Sequence, residues 1–163
     1  MSLMWLRVTL VLYSLGLAHA LLTVLARRDR LFRFALGAIA LGAVFHLVAI
    51  VEEAVEIQHF PVTNFQQSVS FLAFSITCAF LLVYWRYKFE ALSIFIYPLV
   101  FMLTLSAAAG TSARLENPIL RSGWIYVHVT LLFAGYALLF VTFVAGLMYL
   151  LQERELKSKK PRG

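Results

Sequence analysis

Cysteine, charge and the motifs of soluble enzymes are scarce in this 163-residue chain. Its single cysteine, Cys78, excludes a disulfide within one chain and a CxxC thiol oxidoreductase site. No glycine-rich phosphate loop, GxSxG or HExxH sequence occurs, so the common soluble active sites are excluded as well. Charged residues make up only 13% of the chain and lie in short islands. Because they form no basic patch on a soluble surface, no nucleic-acid partner is expected.

Apolar residues fill the stretches between those islands. They account for 62% of the chain, above the roughly 45–50% that is usual in soluble domains. Since these stretches do not alternate with period two, we predict helices and not the strands of a barrel. The sequence therefore predicts an all-α, polytopic membrane bundle of about five transmembrane helices, the first of them retained and not a cleaved signal peptide. The five runs are Leu3–Ala26, Phe34–Val51, Val69–Trp85, Ala91–Ala109 and Trp124–Leu151.

The distribution of lysine and arginine predicts the orientation, because cytoplasmic loops carry an excess of both. The loop after the first run, the turn after the third run and the C-terminal tail would all lie on one side of a five-span bundle. Together they hold 11 of the 14 basic residues. The N-terminus is therefore expected outside and the C-terminus in the cytoplasm, in the bacterial cytoplasmic (inner) membrane. Residues 1–151 are expected to form one bundle, and residues 152–163 a basic cytoplasmic tail. The 11 residues are Arg27, Arg28, Arg30, Arg33, Arg86, Lys88, Arg154, Lys157, Lys159, Lys160 and Arg162, against Arg7, Arg114 and Arg121 elsewhere.

Histidines are the candidate functional groups, since ionisable side chains at membrane depth are costly and usually have a function. His46 lies in the second run, His59 in the connector that follows, and His128 one turn into the fifth run. With the predicted orientation, these three imidazoles lie on the outer side, whereas His19 lies nearer the inner end of the first run.

Two kinds of site fit these residues. Glu53 follows His46 by seven residues on the same helix face, which makes a zinc site or a proton path arguable. Haem needs only one or two imidazoles and an apolar slot. Gly135 and Tyr136 follow His128 at seven and eight residues, and a glycine there lets a flat ligand approach.

Two motifs carry a resemblance that favours haem. The segments HFPVTNFQQSVSFLAF and GWIYVHVTLLFAGYALLFVTFVAGLMYLLQERELK flank WRYKFEALSIFIYPLVFMLTLSA. Together they resemble the N-terminal portion of the CcsA-type cytochrome c assembly family, with its HemX-like relatives, over roughly residues 35–157. The matching positions are His59, Phe60, Pro61, Asn64 and Ser68, then Tyr126, His128, Val129, Gly135 and Tyr136.

The resemblance departs from the family at two places. The family usually carries glutamate where this chain has Gln67, which puts an acidic role there in doubt. The family's tryptophan-rich WWD segment and its second periplasmic histidine normally lie downstream of the helix that holds His128. The chain is therefore expected to be the front half of a haem-handling protein, either split from its other half or trimmed.

The resemblance implies a membrane subunit of cytochrome c biogenesis that binds or relays haem b at the outer, periplasmic face. His128 would be the axial ligand of the haem iron, and His46 or His59 a second ligand or a support for the first. The implied partners are the lipid bilayer, haem, a ResB-like or WWD-containing assembly subunit and, indirectly, apocytochrome c. No catalysis by this chain alone is expected. The alternatives are a HemX-like non-catalytic regulator or scaffold linked to haem synthesis, and a small transporter or proton relay built on His46 and Glu53.

In the connector itself, Pro61 is expected to force extended geometry on the residue before it. Thr63 or Asn64 is expected to cap the third helix. Pro98 is expected to kink the fourth helix.

Overall fold

Five long helices make up the structure, a computed structural model that describes residues 3–26, 29–110 and 122–157. Each is long and apolar enough to cross a membrane. The described residues contain no β-strand, so the predicted all-α bundle with five spans is confirmed. The helices are α1 (Leu3–Ala26), α2 (Asp29–Ile57), α3 (Phe65–Tyr87), α4 (Ser93–Ala109) and α5 (Gly123–Lys157), with a short 3₁₀ turn (Glu90–Leu92) before α4.

Several helices extend beyond the apolar runs that predicted them. The second helix continues six residues past Val51, because a helix can leave the hydrocarbon region while its polar residues remain hydrogen-bonded or solvated. It ends at Ile57, and the next residue, Gln58, has a φ of 56°, the left-handed geometry that closes many helices. The fifth helix likewise continues past Leu151 to Lys157, where Glu153 and Lys157 form an ion pair of 2.6 Å.

The connector between α2 and α3 is closed by a side-chain cap. Asn64 is extended (φ −139°, ψ 170°), and its Oδ1 accepts a hydrogen bond of 2.9 Å from the backbone N–H of Gln67. This confirms Asn64 as the N-cap and places the start of α3 at Phe65. At the other end, Lys88 is left-handed (φ 54°) and donates its N–H to the carbonyl of Tyr84.

Close approach of α1 and α2 forms one side of the bundle. A Cβ at Gly16 would lie 2.7 Å from Ile39 Cγ1, and one at Gly42 would lie 2.6 Å from the ring of Tyr13. These two positions therefore let the helix backbones come near enough for the large side chains to interlock. The main core extends from Tyr13 through Phe80 and Tyr97 to Val141.

The fifth helix lies at the edge of the bundle. Its main contacts are with α3 and the 3₁₀ turn. Only 17% of its apolar span is buried, against 28–44% for the other four spans. A broad side of α5 is consequently open to lipid or to another protein.

Some residues used in the sequence analysis lie outside the described part of the chain. The orientation and the division into bundle and tail therefore stay predictions. The basic residues concerned are Arg27, Arg28, Arg114, Arg121, Lys159, Lys160 and Arg162.

Candidate functional site

A buried hydrogen-bond network surrounds His46, which has 0% of its surface exposed. Its Nε2 lies 2.9 Å from Ser70 Oγ of α3, and its Nδ1 lies 3.3 Å from Tyr13 Oη of α1. The imidazole also meets the rings of Tyr13 and Phe74 edge-on, at centroid distances of 5.8 and 5.7 Å. Because both ring nitrogens are hydrogen-bonded, this arrangement favours the supporting role for His46, while iron ligation stays a prediction.

A second buried polar group lies nearer the connector between α2 and α3. Glu53 Oε1 accepts a hydrogen bond of 2.8 Å from Gln67 Nε2, and both residues are buried. Gln67 Oε1 in turn accepts from the N–H and the hydroxyl of Thr63, at 2.9 and 2.8 Å. Position 67 therefore carries an amide that joins a carboxylate of α2 to the backbone of the connector.

Gln67, where the family usually has glutamate, contacts a carboxylate of another helix. A carboxylate is present next to position 67, but it comes from Glu53 on the neighbouring helix. Sequence reasoning paired Glu53 with His46 because seven residues separate them on one face. The structure buries both, and gives each a partner on α3.

Aromatic contacts hold the His-Phe-Pro connector against α3 and α5. Phe60 meets Phe71 of α3 at 5.0 Å between ring centroids and Tyr126 of α5 at 5.6 Å. Pro61 is buried. His59 is half-buried, and its Nδ1–H donates to the carbonyl of Phe60 at 3.1 Å.

His128 lies on the open side of α5. Its side chain is exposed, and so are Trp124 and Leu131 on the same side, at 76% and 67%. Seven residues deeper, a Cβ at Gly135 would meet nothing within 4 Å. Tyr136 is 54% exposed. This side of the helix can therefore receive a flat ligand or a closely packed helix.

The four imidazoles do not meet in the described part of the chain. Tyr126 faces Phe60, and at 3.6 residues per turn His128 lies about 200° further round the helix, away from the connector. His19 on α1 donates its Nδ1–H to the carbonyl of Leu15, at 2.8 Å. Within residues 3–26, 29–110 and 122–157, no three His, Cys, Asp or Glu side chains are close enough to hold a metal ion. The zinc alternative thus gains no support from these residues.

Two members of the His46 network were not found by sequence reasoning. Tyr13 and Ser70 lie 33 and 24 residues from His46 in the chain. Ser70 carries a weak signal, since it follows Gln67 by three residues and so shares its helix face. Tyr13 carries none, because an aromatic residue in an apolar run is equally typical of a lipid-facing position.

Comparison with known proteins gives the family. Residues 5–162 match the family described as cytochrome C assembly protein. The chain belongs to this family. The resemblance inferred from the His-Phe-Pro and Tyr-Val-His-Val motifs is thereby confirmed. Family membership and five helices long enough to cross a membrane make this chain an integral protein of the cytoplasmic membrane.

Three relatives illustrate how far the similarity extends. The cytochrome c biogenesis protein CcsA of Picosynechococcus sp. is 28% identical over 101 residues, which cover 59% of this chain and 30% of that protein. CcsA of Gloeothece citriformis is 30% identical over 102 residues, covering 59% and 31%. An uncharacterised 28.8 kDa protein of Azospirillum brasilense is 40% identical over 67 residues, covering 39% and 25%.

The matched regions span less than a third of the length of these relatives. No solved structure matches the chain. Family membership and the all-helical bundle are therefore the shared properties, whereas the activity of a whole family member is a matter for proposal.

Proposed function

We propose that this chain acts in cytochrome c assembly as a membrane subunit that holds or relays haem b at the outer face. Membership of the cytochrome c assembly family supports the pathway. The placement of His128 supports the haem site, because its imidazole lies near one end of α5, on the open side of the helix. In the orientation predicted from the basic residues, that end lies at the periplasmic surface.

The open side of α5 has the properties that a haem ligand requires. The imidazole of His128 is exposed, so a nitrogen can reach an iron atom beside the helix. Gly135 presents no side chain along the same line, which leaves room for the edge of a flat ring. Exposed apolar side chains such as Leu131 and Leu139 border that line and can pack on the face of a porphyrin.

Among the described residues of α5, His128 is the only imidazole. His46 uses both ring nitrogens within the bundle, and His59 lies on the connector side. A second ligand would therefore come from a partner, such as a ResB-like or WWD-containing assembly subunit. In this proposal haem is the cargo, and the vinyl groups of its porphyrin ring would be the groups to which the thiols of apocytochrome c add. This chain binds and orients the cargo, and the attachment step belongs to the assembled complex.

The haem content of the complex purified in detergent tests the proposal. We expect His128→Ala to lower the Soret absorbance per complex more than His59→Ala or His19→Ala does. Added imidazole is expected to restore part of the absorbance in His128→Ala, because it can fill the vacant coordination position. His19→Ala is the matched control, since its imidazole is bonded to a carbonyl of its own helix.

Two results would contradict the ligand assignment. One is a wild-type Soret band in His128→Ala together with normal cytochrome c maturation. The other is a haem-free wild-type complex, which would place the regulator or scaffold alternative first.

A further inference from the structure

The ring of Phe60 lies between two helices that otherwise carry separate parts of the candidate site. It contacts Phe71 of α3 in a T-shaped arrangement (5.0 Å, 73°) and Tyr126 of α5 in a tilted one (5.6 Å, 35°). Phe71 continues to Phe133 of α5 at 5.5 Å and 84°. These rings form an aromatic bridge, Tyr126–Phe60–Phe71–Phe133, between α3 and α5 beside the connector.

The connector that carries Phe60 is itself held in place. Thr63 is fixed to Gln67 through both its N–H and its hydroxyl. Pro61 is buried, and the N–H of Val62 donates to the carbonyl of Phe60 at 2.9 Å. Since Gln67 is anchored on buried Glu53, the position of Phe60 is set by α2 and α3.

The fifth helix needs such an anchor because it is supported on one side only. Its buried residues, such as Ala137, Val141 and Val144, face α3 and the inner end of the bundle. At the end of α5 that carries His128, Tyr126 contacts Phe60 and Phe133 contacts Phe71, and both contacts oppose rotation of the first turns. His128 lies about 200° round the helix from Tyr126. Any rotation of the outer turns therefore changes the direction of the imidazole.

From this geometry we infer that Phe60 is a positioning residue for His128. Its ring fixes the rotation of the outer end of α5 and so directs the imidazole away from the bundle. The part of the inference that concerns haem rests on the proposed function, whereas the bridge itself does not. Aromatic pairs of this kind prefer edge-to-face and offset arrangements, which makes the ring, and not merely an apolar side chain, the required group.

Distances between spin labels test the bridge without haem. Labels at Phe65→Cys and Trp124→Cys, in a Cys78→Ser background, report on the exposed outer ends of α3 and α5 in full-length protein in nanodiscs. We expect a narrow distance distribution in the parent protein and in Phe60→Tyr. Phe60→Leu and Phe60→Ala should broaden or shift it. Phe95→Ala, a phenylalanine of α4 outside the bridge, is the matched control.

Haem binding by the assembled complex tests the consequence. If the contacts of Phe60 with Phe71 and Tyr126 hold α5 in the rotation that directs His128 away from the bundle, Phe60→Ala should weaken haem binding roughly tenfold. The Soret maximum should also shift. Phe60→Tyr should keep the wild-type haem affinity and Soret maximum. A tyrosine that fails to rescue, or a Phe60→Ala protein with unchanged label distances, overturns the inference. Changed distances with wild-type haem affinity and spectrum would overturn the link to His128.

The two failures can be told apart. A wild-type complex without haem refutes the proposed function, and the label distances still decide whether Phe60 orients α5.

Discussion

Replacing His46 by leucine tests whether the buried imidazole joins three helices. Leucine is about as favourable as any residue for insertion at membrane depth, so the helix should still enter the bilayer. The change removes the hydrogen bonds to Ser70 (2.9 Å) and Tyr13 (3.3 Å), together with the edge contacts to the rings of Tyr13 and Phe74. The hydroxyl groups of Tyr13 and Ser70 each lose this hydrogen bond and stay buried.

The expected loss of stability follows from these contacts. Hydrogen bonds between membrane helices contribute about 0.6 kcal/mol on average and about 1.7 kcal/mol at most. The Ser70 contact, at 2.9 Å, lies near the optimum distance, whereas the 3.3 Å Tyr13 contact lies beyond it. With the ring contacts included, His46→Leu should lower the free energy of unfolding by about 1–3 kcal/mol.

The measurement is an unfolding titration with SDS in mixed micelles, followed by tryptophan fluorescence. A double-mutant cycle with Ser70→Ala isolates the shorter hydrogen bond, and we expect a coupling energy of about 0.6–1.7 kcal/mol. His19→Leu is the control, since its Nδ1–H donates within its own helix and its loss should cost clearly less. A coupling energy of zero, with His46→Leu as stable as the wild type, would refute the network as a link between helices.

Two further predictions concern packing and orientation. Gly42→Ala should destabilise by about 1–3 kcal/mol, because the new methyl would lie 2.6 Å from the Tyr13 ring. Gly37→Ala, whose Cβ would meet nothing within 4 Å, should be neutral or stabilising by up to about 1 kcal/mol in the same titration. In a Cys78→Ser background, an impermeant maleimide added to intact cells should label Gln58→Cys but not Lys157→Cys. The reverse pattern would overturn the orientation and with it the outer position of His128.

Much of the site's local structure was predictable because it depends on neighbours in the chain. Asn64 caps α3 by accepting a hydrogen bond from a residue three positions away, as its place before the apolar run predicted. The family could also be inferred, since its motifs are short and contiguous around Pro61 and His128. The ends of α2 and α5 were less predictable, because a helix can continue beyond the apolar run that marks the membrane.

The rotation of each helix about its axis could not be predicted. In a soluble protein the polar face of a helix shows which side is buried. In a bilayer the lipid is as apolar as the core, so α5 carries leucine and phenylalanine on both its open and its packed sides. The sequence therefore placed His46 and His128 alike on the outer side without distinguishing their surroundings.

The sequence by itself determined the number and approximate extent of the helices, since the thickness of the hydrocarbon core sets the length of an apolar run. Only the tertiary structure decided that His46 lies within hydrogen-bond distance of Tyr13 and Ser70 and that Gln67 donates a hydrogen bond to Glu53. It also decided that the side chain of His128 is exposed at the surface of the bundle. These pairings join residues far apart in the chain. They depend on how closely the helix backbones approach and on how each helix is rotated about its axis. Because the lipid is as apolar as the core, hydropathy predicts neither.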